Sequence, residues 1–176
     1  ARVKSGKMIN APPYGYRLEP ARDDKGGLVL DKRGKVTMKR VVSGKEAEVV
    51  RRIYAYYVYD GKSMNGIRNT LNSEGIKPQK AHAWERASIS RILKNPTYCG
   101  YLIYNRVKRR KRPDGSIDWG TNKKSDWIVV PPEKTEHKAI ISEELFEAAQ
   151  RVREAKISQG SSAVSSQYLW SGFLKC

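Results

Sequence analysis

The chain has 176 residues, with 35 Lys and Arg against 18 Asp and Glu, a formal net charge of +17 and a pI near 10.0. That length suffices for one domain or two small ones with a real core, and a 39% hydrophobic content with 4 Trp, 10 Tyr and 2 Phe argues against wholesale disorder. No apolar run reaches the roughly 20 residues that cross a bilayer, and Cys99 and Cys176 cannot make a disulfide framework, so a soluble cytoplasmic protein is expected, with nucleic acid as the default partner of its charge.

The charge is unevenly spread. Residues 1–40 hold eleven basic and four acidic side chains, residues 41–97 ten and five, and residues 98–135 nine and four; residues 136–176 have five of each. An excess that stops at the last quarter of the chain fits a binding surface better than a diffuse solubility charge.

In chain order, residues 1–20 read as a basic arm. Arg2, Lys4 and Lys7 are interspersed with Gly6, Pro12, Pro13 and Gly15, and Pro12-Pro13 forces an extended path. Residues 21–40 read as a short hairpin or loop, with Val29-Leu30 and Val36 as strand candidates around Gly34. Ser43 and Glu46 have capping-box spacing, and Ala47, Val50, Ile53, Tyr54 and Tyr57 then share one helical face up to Gly61. Ser63 caps a second helix with Met64, Ile67 and Leu71 inside, ending at Gly75. A loop over 76–83 carries Lys80 and His82. A third helix spans about 85–94 and is closed by Asn95-Pro96.

The third helix has two faces. Ile89, Ile92 and Leu93 form an apolar stripe; opposite lie Ala87, Arg91 and Lys94, flanked by Ser88 and Ser90, with Arg86 in the first turn. Small, hydroxylated and cationic side chains can enter a major groove, where Arg reads guanine. The alternative is a surface helix with solvated cations. Helix, connection, small basic helix is the helix-turn-helix plan, although this connection is longer than the usual tight turn.

After Pro96 the period changes to two, which predicts a strand over 98–105. The run Arg106, Lys108, Arg109, Arg110, Lys111 and Arg112 leads into the turn signal Pro113-Asp114-Gly115. A second strand is expected at 126–130, a third short one at 137–141, and Lys123 and Lys124 near the tip of the hairpin. Those cations either lie on phosphates or decorate a charged loop. Ser142 caps a fourth helix with Glu143 and Glu144 in its first turn and Leu145, Ala148, Ala149 and Val152 inside. The Ser-rich stretch 157–167 reads as a flexible linker, and the apolar segment 168–176 as the start of another module.

No G-x-S-x-G, Gly-rich phosphate loop or H-E-x-x-H occurs, and His82 and His137 lack neighbouring ligand residues. Cys99 reads as a small buried hydrophobe. Cys176 could be a first zinc ligand, but the remaining ligands of a four-coordinate site are not in the chain. No catalytic residue is assigned.

Several segments together fit one family. They are Ala11-Pro12-Pro13-Tyr14-Gly15-Tyr16-Arg17, Glu48-Val49-Val50-Arg51-Arg52-Ile53-Tyr54, Gly61-Lys62-Ser63, Leu71-Asn72-Ser73-Glu74-Gly75-Ile76, Trp84, and Ile92-Leu93-Lys94-Asn95-Pro96-Thr97-Tyr98-Cys99-Gly100. In order and spacing they resemble the recombinase DNA-binding domain of large serine recombinases, the phage integrases and mobile-element transposases of bacteria. The closing Leu169-Trp170-Ser171-Gly172-Phe173-Leu174-Lys175-Cys176 is similar to the start of the zinc ribbon that follows it there. The resemblance implies a fragment of a site-specific recombinase. Its nucleophilic serine would lie in a catalytic domain outside this chain, zinc would be bound in the parent, and the parent would act as a dimer or tetramer on DNA. Glu85 departs from the family pattern, standing where a Ser or Thr helix cap is more usual.

The expected fold is α+β: a helix-turn-helix-like core, a small antiparallel β-hairpin sheet and a C-terminal helix. Residues 1–20 would be the arm, 21–156 the DNA-binding domain, and 157–176 the linker and truncated zinc ribbon. The expected function is sequence-specific binding of double-stranded DNA at recombination attachment sites, with no cofactor in this chain and no membrane. Arg91 is the candidate for base readout, with Arg86, Ser88, Ser90 and Lys94 around it. Arg2, Lys4 and Lys7 would follow the minor groove or phosphates, and Lys80 with the hairpin cations would meet phosphates. The alternative is a basic RNA-binding module.

Overall fold

Tyr16 is the anchor of the fold, completely buried although it stands within the segment read as an arm. In a computed structural model, which describes the backbone of residues 11–165 and the side chains of 11–158, Tyr16 opens strand β1 (Tyr16–Pro20). β1 pairs antiparallel with β2 (Met38–Val42). Between them the chain makes two Asx turns, with Asp23 Oδ1 accepting from the Lys25 and Gly27 N–H groups and Asp31 Oδ1 from those of Arg33 and Lys35. Leu30 and Val36 bridge across the second turn, as the sequence suggested.

Four helices follow the plan of the hydrophobic periods: α1 (Gly44–Val58), α2 (Met64–Ser73), α3 (Arg86–Leu93) and α4 (Glu143–Ser165). Ser63 caps α2 as expected, accepting from Gly66 N–H at 3.1 Å. At α1 the capping box is not made. Ser43 forms no side-chain cap, and Glu46 Oε2 instead accepts from Gly15 N–H at 3.0 Å, tying the helix to the start of β1. Gly15 has φ +91, and a Cβ there would stand 3.0 Å from both Ile140 Cδ1 and Val50 Cγ2. Only glycine combines that backbone with that closeness.

The core lies where α1, α2, α3 and α4 meet under β1 and residues 96–99, around Val50, Ile53, Tyr54, Ile67, Leu71, Ile89, Leu93 and Tyr98. The hydroxyls of Tyr16, Tyr54 and Tyr98 are hydrogen-bonded, as buried polar groups generally are. Tyr16 donates to the Thr97 and Lys138 carbonyls, Tyr54 to Ile92 and Tyr98 to Tyr14.

The β-rich part differs from its reading. Residues 96–99 form a 3-10 turn, which takes Tyr98 and Cys99 out of the strand expected over 98–105: Asn95 Oδ1 accepts from Thr97 N–H, and Gly100 at φ +94 closes it against Pro132. The strand begins only at Leu102, so β3 (Leu102–Tyr104) pairs with β6 (Ile128–Val130). Between them a separate hairpin forms from β4 (Val107–Lys111) and β5 (Ile117–Thr121). There are thus three two-stranded antiparallel sheets among the described residues instead of one. Residues 137–141 are not a strand, because the Ile140 and Ile141 N–H groups both bond to the Tyr98 carbonyl. The helix α4 also runs past Ile157 into the Ser-rich stretch, which has no proline to stop it. The architecture is α+β, a helical core with small antiparallel pairs and a C-terminal helix.

Candidate nucleic-acid interface

The interface begins with how α3 is held. The connection from α2 is pinned by Asn72, which donates to the Trp84 carbonyl at 3.1 Å and accepts from Trp84 N–H at 2.8 Å. The Trp84 ring is buried and meets Tyr14 edge-on at 4.9 Å, and Gln79 bonds Glu46 further back. At the other end, the last carbonyls of α3 are satisfied by Tyr54 on Ile92 and by Gln150 Nε2 on Leu93 at 2.8 Å. An eight-residue helix is marginal alone; here both ends are fixed by neighbours.

Ile89, Ile92 and Leu93 face the core as predicted. Arg86, Ala87, Arg91 and Lys94 are exposed, and Ser88 and Ser90 are half-buried. The helix starts at Arg86, with Glu85 at the cap position making no side-chain bond, which is where the sequence departed from its family. The exposed residues split into two ridges. Ala87 and Arg91 face outward, while Arg86, Ser90 and Lys94 turn toward α4. Lys80 and His82 are exposed in the connecting loop.

The β4–β5 hairpin carries the second cluster, and its strand residues are exposed apart from a half-buried Gly120. The tip is the Pro113-Asp114-Gly115 turn, closed by Arg112 N–H on the Ser116 carbonyl. One face carries Lys108 and Arg110 opposite Gly120 and Asp118, and Arg112 meets Asp118 at 3.5 Å. The other carries Arg109 and Lys111 beside Trp119 and Ile117 with no carboxylate. Arg109 lies 6.0 Å over Trp119, which is 65% exposed. Arg106 sits 5.0 Å over Trp127 at the base. Lys123 and Lys124 are also at the base, after β5, and not near the tip, because the tip is formed within the basic run itself. Trp119 escaped the sequence reading because no strand was expected at 117–121.

Arg2, Lys4, Lys7 and Cys176 lie outside the described residues. Cys99 is buried, its thiol donates to the Pro96 carbonyl, and burial pushes its pKa up to about 11, which suits an inert core group. Among the described residues no three His, Cys, Asp or Glu side chains could together hold a metal ion. His137 is buried against Thr97 and Tyr16 and is part of the core.

The family model called Recombinase matches residues 44–156, from the start of α1 into α4. The chain belongs to the Recombinase family. The resemblance to large serine recombinases read from the sequence is thereby borne out, and the Recombinase segment contains α3, its pinned connection and the hairpin. No curated protein sequence matches the chain. Among solved structures it is similar to a chain in the crystal structure of an LSR–DNA complex, at 21% identity and TM-score 0.51, covering 88% of this chain and 35% of that one. It is also similar to a chain solved for the sequence requirements of the Listeria innocua prophage attP site, at 20% identity and TM-score 0.51, covering 87% and 48%. At these identities the likeness is one of fold. This Recombinase chain spans about a third and about half of their lengths. No helix among the described residues is long and apolar enough to cross a membrane.

Proposed function

We propose that the chain binds double-stranded DNA in a sequence-specific manner at recombination attachment sites, as the recombinase domain of a serine recombinase. The observation that carries this reading is α3: a short helix fixed at both ends, with Ala87 and Arg91 exposed on the side away from its core stripe. Such a helix would enter the major groove, with Arg91 making the bidentate contact to a guanine edge. Lys80, Arg106, Lys108, Arg109, Arg110, Lys111, Arg112, Lys123 and Lys124 would neutralise phosphates, adding affinity without reading bases. The arm with Arg2, Lys4 and Lys7 would follow the minor groove or phosphates.

In this reading the nucleophilic serine belongs to another part of the parent, which assembles as a dimer or tetramer on DNA. Zinc, with Cys176 as one ligand, belongs to the zinc ribbon of that parent.

Competition between duplex DNA and structured RNA at matched salt tests the binding class. Displacement of labelled duplex by unlabelled duplex but not by RNA is expected. Equal displacement by RNA would contradict it.

A further inference from the structure

The helix α4 supplies cations that the segment charges hide. Its stretch of the chain is neutral overall, yet Arg153 and Lys156 point into a cleft of about 420 Å³ opposite Arg86, Ser90 and Lys94 of α3, floored in part by Tyr57. No Asp or Glu lines this cleft. Glu147 and Glu154 stand on another side of α4, where Glu147 pairs with Arg151. Four like charges converging without a counter-charge repel one another, and an anion between them removes that cost.

Two of the cations show what the cleft lacks. Lys156 is fixed, donating to the Gly61 and Lys62 carbonyls at 3.2 and 3.3 Å and lying 4.5 Å over the Tyr57 ring. Arg153 is not: its Nε is shielded from solvent and has no hydrogen-bond partner. A shielded donor on a cationic group is costly to leave unmade.

We propose that this cleft binds a single backbone phosphate of duplex DNA, held by Arg153, Arg86 and Lys94, with Ser90 at its edge. The inference rests on the reading that α3 enters the major groove. Its ridge Arg86–Ser90–Lys94 is adjacent to the ridge Ala87–Arg91, so a helix reading bases with Arg91 brings the cleft to the flanking strand. Phosphate contacts of this kind set the register of a recognition helix.

The test pairs protein substitutions with neutralised DNA. Arg153→Gln and Lys94→Gln should each weaken binding of a preferred and a random duplex by the same factor, roughly tenfold, and make the slope of log K against log salt shallower by about one. Arg153→Lys, which keeps the charge, should recover part of the loss. Methylphosphonate should be placed at each linkage of the preferred duplex in turn. One linkage should cost the unsubstituted protein affinity and cost Arg153→Gln nothing further, a coupling that a folding defect would not produce. Unchanged affinity and slope in Arg153→Gln, or a methylphosphonate cost that persists undiminished at every linkage, would overturn the cleft assignment while leaving DNA binding intact. Failure of the unsubstituted protein to bind any duplex would remove the reading beneath it instead.

Discussion

Asn72, in the last turn of α2, holds the backbone of Trp84 from both sides, its amide nitrogen on the carbonyl at 3.1 Å and its amide oxygen on the N–H at 2.8 Å. A side-chain amide used in this way replaces a missing strand partner. It fixes where the chain re-enters the core after the loop, and therefore where α3 starts. The longer connection between the two helices still delivers α3 in one orientation because its end is tied down.

Asn72→Ala should therefore cost about 1–3 kcal/mol of stability, by leaving part-buried backbone groups of Trp84 unpaired. Amide hydrogen exchange should quicken over residues 76–85 more than over α1. Asn72→Asp, which keeps the acceptor and loses the donor, should fall between the two. Uniform exchange in Asn72→Ala would show that the loop is held by something else.

His137 and Arg40 should give the fold a dependence on pH. Burial holds the His137 imidazole below the usual histidine range, and the Arg40 guanidinium adds to that, against a hydrogen bond to the Thr97 carbonyl. The folded state thus takes up the proton later than the unfolded chain as pH falls. Stability is complete above the unfolded value of about 6.5 and declines as pH drops through and below it. Urea melts across that range should show the decline. His137→Gln, which can still donate to Thr97, should flatten it.

Arg40 itself is buried over the Tyr16 ring at 5.4 Å, with Nε and Nη1 unpartnered. Replacing a buried, unpaired charge by an apolar side chain of similar length is commonly neutral or stabilising. Arg40→Met should leave the melting temperature unchanged or raise it, and should shrink the acid decline by relieving His137. A large drop in melting temperature would show that the cation over Tyr16 is a net stabiliser.

The carboxylate-free face of the β4–β5 hairpin should act on affinity and not on specificity. Arg109→Gln with Lys111→Gln should weaken preferred and random duplexes by a common factor and make the salt slope shallower by about two. Arg110→Gln, on the face balanced by Asp118, should do less. The comparison is read by titration at several salt concentrations; a change in the ratio of preferred to random binding would place base readout on the hairpin.

The helical half of this architecture was legible in the sequence, and the reason is burial. The stripes Ala47–Val50–Ile53–Tyr57 and Ile89–Ile92–Leu93 are spaced by the helix period because one face of each helix meets a core. Of the β4–β5 hairpin only the Pro113-Asp114-Gly115 turn was legible, since Val-Lys-Arg-Arg-Lys is exposed throughout and has no apolar face, and the Ile117–Trp119 alternation in Ile-Asp-Trp-Gly-Thr is too short to stand out. The start of the strand expected over 98–105 misled because Tyr98 and Cys99 continue its apolar run backwards, while Asn95 and Gly100 set a turn over 96–99 by local hydrogen bonding. Glu46 had the spacing of a capping residue, but a contact with Gly15 far away in sequence claimed its carboxylate. The cations Arg153 and Lys156 were hidden by counting charge along the chain, when the helix separates them from the glutamates around its axis.

The central claim is that α3 reads bases through Arg91. Selection of bound duplexes from a random pool, carried out in parallel with the unsubstituted chain and with Arg91→Ala, tests it most directly. A consensus should emerge for the first. The substituted chain should keep that consensus except at one position, with a loss of about 1–3 kcal/mol on the preferred site. The same consensus at every position from both proteins, or none from either, would contradict the account.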